Sequence, residues 1–455
     1  MMEKKLNRIL DMVSEYISEA QKEKKWTPGE DWVQYSGPSF NEDEYVSAIR
    51  GLLSNLDWLV FGKKSRQFEI EFANRLGKEV GVFTNSGSSA NLLMVNALTS
   101  KRPLMKNFHL PRGSKIITPV VCFPTTLNPI IQAGYEPVFV DVDIPSLNLN
   151  LDEVESILQA DEDIRGIMFA HVLGNPPDMD RLMHLVKKYN LIFLEDACDA
   201  LGSSYDGKKL GSFGLMSTCS FFPAHHMTMG EGGYVATSDA RLRRVLASMR
   251  DWGRACYCNE KKPGDVTSGT ACGNRFREWL SDVDASIIYD HRYVFDEIGF
   301  NLKPLEIQGA MGLEQIKKLP ELEDARRKNF TKLKKIFKPY ETYLHLPEAT
   351  EKSDPCWFGF MIIVKDNHHF KKQDLVNFLE ENKIQTRSYF TGNCLYHPAY
   401  SEYSKKYPNL LERFPNAHIA TRDTFFMGTY IGVTDEKLEY IKDVVDNFFE
   451  GKQIR

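Results

Sequence analysis

The stretch VGVFTNSGSSANLLMVNAL occupies residues 80–98 and changes character in its middle. Residues 80–84 form a short apolar run with β-branched and aromatic side chains, which favours a strand. Small residues follow, and the chain then continues as SSANLLMVNAL, a pattern typical of a helix. A strand, a Gly/Ser turn and a helix in succession indicate the beginning of an α/β unit.

The same alternation of apolar runs and helical patterns continues to about residue 240. Further strands are predicted at KIITP (115–119), PVFVDV (137–142), GIMFAHV (166–172), LIFLED (191–196), STCSFF (217–222) and GGYVAT (232–237). Nearly continuous apolar runs suit strands that are buried on both faces. The sequence therefore predicts an α/β fold whose central sheet is mainly parallel and flanked by helices.

Three segments are predicted along the chain. Residues 1–30 carry an amphipathic N-terminal helix, and residues 31–337 form a large α/β domain. That domain ends in a long helix or helix pair at 305–337, which Pro320 interrupts. Residues 338–455 form a smaller C-terminal α+β domain.

Composition and charge exclude several classes of protein. Of the 455 residues, 42% are hydrophobic and 26% charged, as in globular proteins. A formal net charge of −5 provides no overall basic field for nucleic acid or an anionic membrane. No stretch reaches the ~18–20 apolar residues of a membrane span, and charge interrupts the N-terminus where a signal peptide needs an apolar core. We expect a cytoplasmic protein with reduced thiols.

Three polar motifs follow strands of the predicted sheet. NSGSSAN (85–91) opens a helix, where free N–H groups and hydroxyls favour a phosphate, although an ordinary serine cap is the alternative. Asp196 ends LIFLED, at a strand edge where α/β folds bind ligands, or it caps a helix. SFFPAHH (220–226) and MGEGG (229–233) combine a hydroxyl, a histidine pair and a glycine-rich turn, and a structural role of the histidines is the alternative.

Together and in this order, the three motifs resemble the vitamin B6-dependent sugar aminotransferases of the DegT/StrS type, which have fold type I. The resemblance covers roughly residues 30–450 and includes FPTT (123–126), GYEPVFVDVD (134–143) and GFN (299–301). It implies a pyridoxal phosphate-derived cofactor. It also implies that Asp196 pairs with the pyridine nitrogen and keeps the ring protonated.

The resemblance assigns the remaining contacts to this cofactor. The residues that would hold the 5′-phosphate are Gly87, Ser88, Ser89 and Ser220. Phe123 matches the aromatic residue that stacks on the cofactor ring. Asn301 matches a residue that reaches the phosphate from the neighbouring subunit, so the resemblance implies a homodimer.

The chain departs from the aminotransferase pattern at His225. The aminotransferases of this family have lysine at that position, five residues after the motif serine, and that lysine binds the cofactor covalently. No lysine occurs from residue 210 through 260 to replace it. Imidazole cannot form that covalent bond stably, but it accepts a proton near neutral pH. We expect noncovalently bound pyridoxamine 5′-phosphate, with His225 as the catalytic base.

The cysteines are a second unusual feature of the chain. Three of the eight fall in the loop 253–292. The candidate ligands Cys198, Cys256, Cys258 and Cys272 are spaced C-x57-C-x-C-x13-C, which matches neither common ferredoxin spacing. Thiolates at this spacing suit iron–sulfur or zinc, and incidental buried thiols are the alternative. With His225, they closely resemble one branch of the family, the pyridoxamine phosphate- and [2Fe–2S]-dependent CDP-4-keto-6-deoxy-D-glucose-3-dehydrases. Cys394 is an alternative to Cys272 as fourth ligand, since the gap before Cys272 is long for that branch.

That branch implies C3 deoxygenation of a nucleotide-linked 4-keto-6-deoxyhexose in 3,6-dideoxysugar and lipopolysaccharide O-antigen biosynthesis. CDP is the first choice of nucleotide, and dTDP and GDP remain open. An NAD(P)H-dependent iron–sulfur flavoprotein reductase would supply single electrons. Two alternatives stay open: a cluster-free 3-dehydratase that deaminates its product and is recharged by glutamate, and a catalytically inactive, zinc-binding member with a binding or regulatory role.

Overall fold

The computed structural model describes residues 1–54, 59–256 and 275–452, and its elements alternate as the sequence predicts. The helices are α1 (Met2–Glu23), α2 (Glu42–Ser54), α3 (Lys63–Phe72), α4 (Gly87–Ala97), α5 (Pro124–Gln132), α6 (Leu151–Ala160), α7 (Met179–Lys188), α8 (Ala240–Arg250), α9 (Glu306–Phe337), α10 (Lys372–Glu381), α11 (Ser401–Ser404), α12 (Leu410–Arg413), α13 (Pro415–Arg422) and α14 (Asp435–Gly451).

The strands are β1 (Val80–Thr84), β2 (Lys115–Pro119), β3 (Glu136–Val140), β4 (Ile164–Ala170), β5 (Ile192–Asp196), β6 (Ser204–Tyr205), β7 (Lys208–Lys209), β8 (Met216–Ser220), β9 (Gly233–Thr237), β10 (Phe276–Arg277), β11 (Tyr289–Asp290), β12 (Leu344–His345), β13 (Ser353–Asp354), β14 (Gly359–Val364), β15 (Arg387–Ser388) and β16 (Thr424–Gly428).

Seven of these strands form the central sheet in the order β1-β9-β8-β5-β4-β2-β3. Only β9 runs against the others, since its pairings with β1 and β8 are antiparallel and the remaining pairings are parallel. Every residue of β8 and β9 is buried. The predicted α/β fold with a mainly parallel central sheet is therefore confirmed.

Helices cover both faces of this sheet. Successive residues of β5 point to opposite sides, so that Phe193 enters one core and Leu194 the other. The first core contains Phe68 and Phe72 of α3, and the second contains Leu93 of α4. Burial on both faces explains why the strand sequences are nearly continuous in hydrophobicity rather than alternating.

The sheet brings the three polar motifs to one edge. Thr84, Asp196 and Ser220 are the last residues of β1, β5 and β8. These strands run in the same direction, because β1 and β8 are both antiparallel to β9 and β5 is parallel to β8. Their carboxyl ends therefore meet at the edge where open α/β sheets bind ligands.

The C-terminal part of the chain builds a second, smaller sheet in the order β12-β14-β16-β15. All its pairings are antiparallel, and helices α10 and α14 pack beside it. Its core includes Phe360, Leu375 and Phe449. The smaller α+β C-terminal domain is confirmed, while the boundaries at residues 30 and 337 stay predictions.

Pro320 does not interrupt the long helix, contrary to the expectation. Helix α9 runs as one element of 32 residues. Leu319 is buried in the core under the central sheet, and Phe330 and Leu333 are buried in the core of the smaller sheet. Packing at both ends offsets the one backbone hydrogen bond that a proline removes.

The segment predicted as a long loop at 259–292 is only partly a loop. Residues 257–274 lie outside the described ranges. The rest contains a short antiparallel pair, β10 and β11, with Phe276 opposite Asp290. Two-residue strands carry no periodic signal, which is why the sequence did not predict them.

The N-terminal helix is found as predicted, at Met2–Glu23. Across the described ranges, no helix combines the length and the apolarity that crossing a bilayer requires.

Candidate active site

The first motif forms the start of helix α4. Ser86 is the N-cap residue, and its hydroxyl accepts a hydrogen bond from the backbone N–H of Ser89 at 3.1 Å. Ser88 beside it is exposed. Gly87 lies against Ser220 at the end of β8, because a Cβ placed on Gly87 would come within 2.4 Å of the Ser220 Cβ. The structure thus brings the four predicted phosphate-binding residues together at a helix start that favours anions.

We expect Gly87→Ala to weaken pyridoxamine phosphate binding about tenfold or more. The added methyl group would meet the Cβ and Oγ of Ser220 at 2.4 and 2.6 Å, so Ser220 has to move. Overpacking of this kind costs about 1–3 kcal/mol, and 1.4 kcal/mol is a tenfold change in affinity.

Calorimetric titration of the purified chain with pyridoxamine phosphate measures this effect. Gly451→Ala is the matched control, since a Cβ at Gly451 meets no atom within 4 Å. Equal affinities of Gly87→Ala and Gly451→Ala for pyridoxamine phosphate would show that the phosphate binds elsewhere.

Asp196 is held rigidly at the end of β5, where it is 4% exposed. Its Oδ2 accepts hydrogen bonds from Nδ2 of Asn91 at 2.7 Å and from the hydroxyl of Thr126 at 2.8 Å, and its Oδ1 accepts one from the N–H of Cys198 at 3.2 Å. Thr218 in turn fixes Asn91 through a bond of 2.6 Å to Oδ1. A buried carboxylate oriented in this way can pair with a cationic ring nitrogen.

The neighbouring Glu195 anchors the same strand end from the other face of the sheet. Its carboxylate contacts Nε2 of His171 at 3.0 Å and accepts hydrogen bonds from the N–H groups of Gly211 and Gly214. Burial by itself would raise the pKa of Glu195, but these bonds hold the pKa below its usual value. Glu195 therefore stabilises the strand, and Asp196 faces the site.

Arg326 of α9 holds the backbone that carries His225. This buried guanidinium donates hydrogen bonds to the carbonyl groups of Ala224 at 3.4 Å and His225 at 3.1 Å. It also donates to the carbonyl of Phe358 at 3.0 Å. Burial lowers the pKa of Arg326 to about 10, so it stays charged at neutral pH.

The imidazole of His225 lies in a largely buried pocket. Its Nδ1 is 3.6 Å from Oδ1 of Asp199, and its ring packs on Phe358 with the centroids 5.4 Å apart. Burial lowers the pKa of His225 to about 4, against the opposing charge of Asp196. Burial and then the charge of Asp196 raise the pKa of Asp199 to about 7. A neutral imidazole at pH 7 is able to accept a proton.

The two histidines of the third motif have different surroundings. Nε2 of His226 contacts the backbone carbonyl of Cys356 at 2.6 Å, and burial lowers the pKa of His226 well below its usual value. His226 thus has the structural role that the sequence left open for the pair, and His225 alone has Asp199 beside it.

Phe123 and Asn301 lie at the outer side of the site. Phe123 begins helix α5, is 50% exposed and contacts the ring of Phe390 edge-on. An exposed aromatic ring is available for stacking. Asn301 is exposed and pairs with Asp251, and the carbonyl of the next residue, Leu302, accepts the N–H of Asn85. The contribution of Asn301 to a second subunit stays a prediction.

The described residues include two of the four predicted cluster ligands, Cys198 and Cys256, both free thiols. Burial raises the pKa of the Cys198 thiol well above its usual value. Sγ of Cys256 lies 3.1 Å from Nε2 of His291. Cys258 and Cys272 lie outside the described residues. Within residues 1–54, 59–256 and 275–452, no three His, Cys, Asp or Glu side chains converge as a metal ion would require.

The other four cysteines are buried in the protein core. These are Cys122, Cys219, Cys356 and Cys394. A hydrogen bond between Cys394 and Cys122, together with burial, raises the pKa of Cys394. Cys394, the alternative fourth ligand, therefore contacts another buried thiol.

The sequence did not identify several residues that shape the site. Asn91 and Thr126 fall inside the motifs NSGSSAN and FPTT, but nothing in those motifs indicates that they bind Asp196. Asp199 could have been found as the third acidic residue in EDACDA. Arg326 stands in an amphipathic helix pattern and gives no signal, because its partners are backbone carbonyls far along the chain.

The sequence pattern of the DegT/DnrJ/EryC1/StrS aminotransferase family matches residues 41–446. The lipopolysaccharide biosynthesis protein RfbH of Salmonella typhimurium is 40% identical over 97% of this chain and 97% of its own length. The dTDP-4-dehydro-2,6-dideoxy-D-glucose 3-dehydratase of Saccharopolyspora spinosa is 39% identical over 97% of this chain and 92% of its own.

A similar solved structure is that of GDP-4-keto-6-deoxymannose-3-dehydratase with a trapped PLP–glutamate geminal diamine. It is 28% identical, covers 90% of this chain and 99% of its own, and has a TM-score of 0.73. The fold of this chain thus matches, over 90% of its length, that of a protein whose structure holds a PLP–glutamate adduct.

Proposed function

The chain belongs to the DegT/DnrJ/EryC1/StrS aminotransferase family, and from this we propose that it is a pyridoxamine phosphate-dependent 3-dehydratase of a nucleotide-linked 4-keto-6-deoxyhexose. Family membership makes it a vitamin B6-dependent enzyme of sugar-nucleotide metabolism. The observation that carries the finer proposal is His225, a largely buried imidazole at the position of the family's lysine. Support also comes from two of the three named relatives, which are 3-dehydratases.

The residues present fit the cofactor. The start of α4 and Ser220 form a cradle that a side chain at Gly87 would fill, and Asp196 offers an oriented carboxylate for the pyridine nitrogen. Bound pyridoxamine phosphate supplies an amine that condenses with ketones and a protonated ring that withdraws electrons. Asp196 would hold the pyridine nitrogen of the cofactor and keep it protonated, and Phe123 would stack on the cofactor ring. His225 removes a proton beside the ring so that the C3 hydroxyl can leave.

We propose CDP-4-keto-6-deoxy-D-glucose as the substrate, in the biosynthesis of lipopolysaccharide sugars. Similarity to a lipopolysaccharide biosynthesis protein supports the pathway. The dTDP-linked substrate in the name of another relative makes dTDP the second choice of nucleotide, with GDP third. Incubation of the pyridoxamine phosphate-loaded protein with each 4-keto sugar nucleotide, followed by mass spectrometry, tests this order. Loss of water from none of the three contradicts the proposed function.

For the reduction after dehydration, we propose a [2Fe–2S] cluster on Cys198, Cys256, Cys258 and Cys272. Four thiols without a predicted histidine are a donor set that binds such clusters. A [2Fe–2S] centre transfers single electrons, so a separate NAD(P)H-dependent iron–sulfur flavoprotein would be the partner. The active form would be a homodimer, with Asn301 directed to the site of the other subunit.

Cys256→Ser is expected to remove the visible iron–sulfur absorption and at least half of the bound iron. A hydroxyl is a poorer ligand for iron than a thiolate, and loss of one of four ligands leaves the cluster open. The measurement is a spectrum with metal analysis after anaerobic purification. Cys394→Ala is the matched control and should keep the iron. Retention of iron in Cys256→Ser, or its loss in Cys394→Ala, shows that the ligand set is wrong.

A cluster-free 3-dehydratase is the second candidate. Similarity to the 3-dehydratase that traps a PLP–glutamate geminal diamine favours it, because glutamate recharges the cofactor in this alternative. It predicts turnover with glutamate and without a reductase, in protein free of iron. Zinc in place of iron, with no reaction on any ketosugar, would instead favour the inactive zinc-binding alternative.

A further inference from the structure

Helix α1 uses only part of its apolar surface to pack on α2. Leu10 is the residue of α1 that is buried. Met12 and Tyr16 are 61% and 70% exposed, and Ile9 is exposed as well. These three residues are spaced by three and four positions, so they form one apolar stripe along the outer side of the helix.

The stripe borders an apolar groove between α1 and α2. The groove has a volume of about 490 Å³, and its walls include Met12 and Tyr16 of α1 and Tyr45 and Ile49 of α2. Helix α1 also lies outside residues 41–446, the part of the chain that the family pattern matches. Exposed apolar surfaces of this kind mark interaction sites, and the cofactor site does not account for this one.

The charged residues along α1 are of opposite sign in its two halves. Lys5 and Arg8 are exposed in the first half, and Glu15 and Glu19 are exposed in the second. Within the described ranges, α1 forms its ion pair to α2 through Glu3, and that ion pair uses none of these four charges. All four are therefore available to a partner.

Both the apolar stripe and the charges are arranged symmetrically about Met12. Ile9 and Tyr16 lie three residues before it and four residues after it. Lys5 and Glu19 lie seven residues before and after it, which is two helical turns. A reversed copy of the helix therefore repeats the apolar pattern and inverts the charges.

We propose that the α1 helices of two copies of this chain pack against each other in antiparallel orientation along this stripe. A two-fold axis near Met12 places Lys5 of one copy opposite Glu19 of the other. The same axis brings Arg8 near Glu15. Charges beside an apolar seam set the partner and the orientation of paired helices, and a parallel pair would bring like charges together. This contact is additional to the homodimer proposed through Asn301, and it does not rest on the proposed function.

Reversal of the charges tests the pairing in the full-length chain. One variant combines Lys5→Glu with Arg8→Glu, and a second combines Glu15→Lys with Glu19→Lys. Each variant repels its own copy, whereas the two variants are complementary to each other. We expect self-association to weaken at least about tenfold in each variant alone. An equimolar mixture of the two should regain it.

Analytical ultracentrifugation at low ionic strength, where exposed charges are least screened, measures the mass. Each variant alone should have half the mass of the unaltered chain, and the mixture should have the full mass. Met12→Asp places a charge in the centre of the stripe and should also halve the mass. The control combines Lys187→Glu with Lys335→Glu, two exposed lysines of other helices, and should keep the full mass. Circular dichroism checks that all variants are folded.

A charge-reversed variant that keeps the mass of the unaltered chain overturns the proposal, and so does a mixture that stays at half that mass. The first outcome would leave the stripe to a different partner. The readout is independent of the proposed function, because the mass halves whether the Asn301 contact forms or not. With that contact a tetramer becomes a dimer, and without it a dimer becomes a monomer.

Discussion

His225→Asn is expected to reduce C3 dehydration by about 10²–10⁴-fold, the loss that follows removal of a general base. Asparagine has nearly the same reach but no basic nitrogen. Nothing on the same loop replaces it, because residues 210–260 contain no lysine. The neighbouring imidazole of His226 is bonded to the carbonyl of Cys356 and cannot turn into the site without breaking that bond.

Single-turnover mass spectrometry with saturating pyridoxamine phosphate measures the dehydration step itself. Cofactor affinity, followed by calorimetry, should change less than about threefold, since the phosphate and the ring nitrogen are held by other residues. His226→Gln is the matched control and is expected to lower thermal stability while it keeps the rate per folded chain. Persistence of dehydration in His225→Asn would show that another group is the base.

Asp196→Asn is the second substitution with a large expected effect, a loss of about 10²–10³ in the rate of dehydration. The amide cannot pair with a protonated pyridine nitrogen, so the ring loses its charge and withdraws electrons less well. In addition, the amide of Asn91 at 2.7 Å would face a group with its own N–H donors.

Thr126→Val provides a graded comparison with Asp196→Asn. It removes one donor at 2.8 Å from Asp196 but leaves the carboxylate charge, so we expect a loss of only about tenfold. The same single-turnover assay applies to both variants, and the absorption spectrum of the bound cofactor reports ring protonation. A Thr126→Val variant more impaired than Asp196→Asn would mean that the carboxylate charge is not what matters.

The sequence predicted the architecture well because the central strands are buried on both faces. Runs such as LIFLED and STCSFF are short, apolar and separated by helical patterns, which leaves few other folds. The expectation of an interruption at Pro320 was wrong because local propensity takes no account of the two cores that hold α9. The β10–β11 pair was missed because strands of two residues are set by tertiary contacts alone.

The candidate site could be predicted only for residues whose type and local position in the sequence indicate their role. The sequence alone shows serine and glycine at a helix start, an acidic residue at a strand end and a histidine in place of lysine. The partners that orient these groups are not, since Asn91 and Thr126 reach Asp196 across 105 and 70 positions of the chain. Such pairings depend on the order of strands in the sheet, which the sequence pattern does not specify.

Arg326 holds the backbone at residue 225 in a way that does not depend on the side chain there. Its bonds go to main-chain oxygens of Ala224, His225 and Phe358, groups that every amino acid possesses. An exchange of lysine for histidine here leaves all of these bonds in place. A group that anchors a cofactor can therefore be replaced here by one that only moves protons, without remodelling of the loop. The same clamp makes residue 225 a suitable position for engineering new reactions on this scaffold.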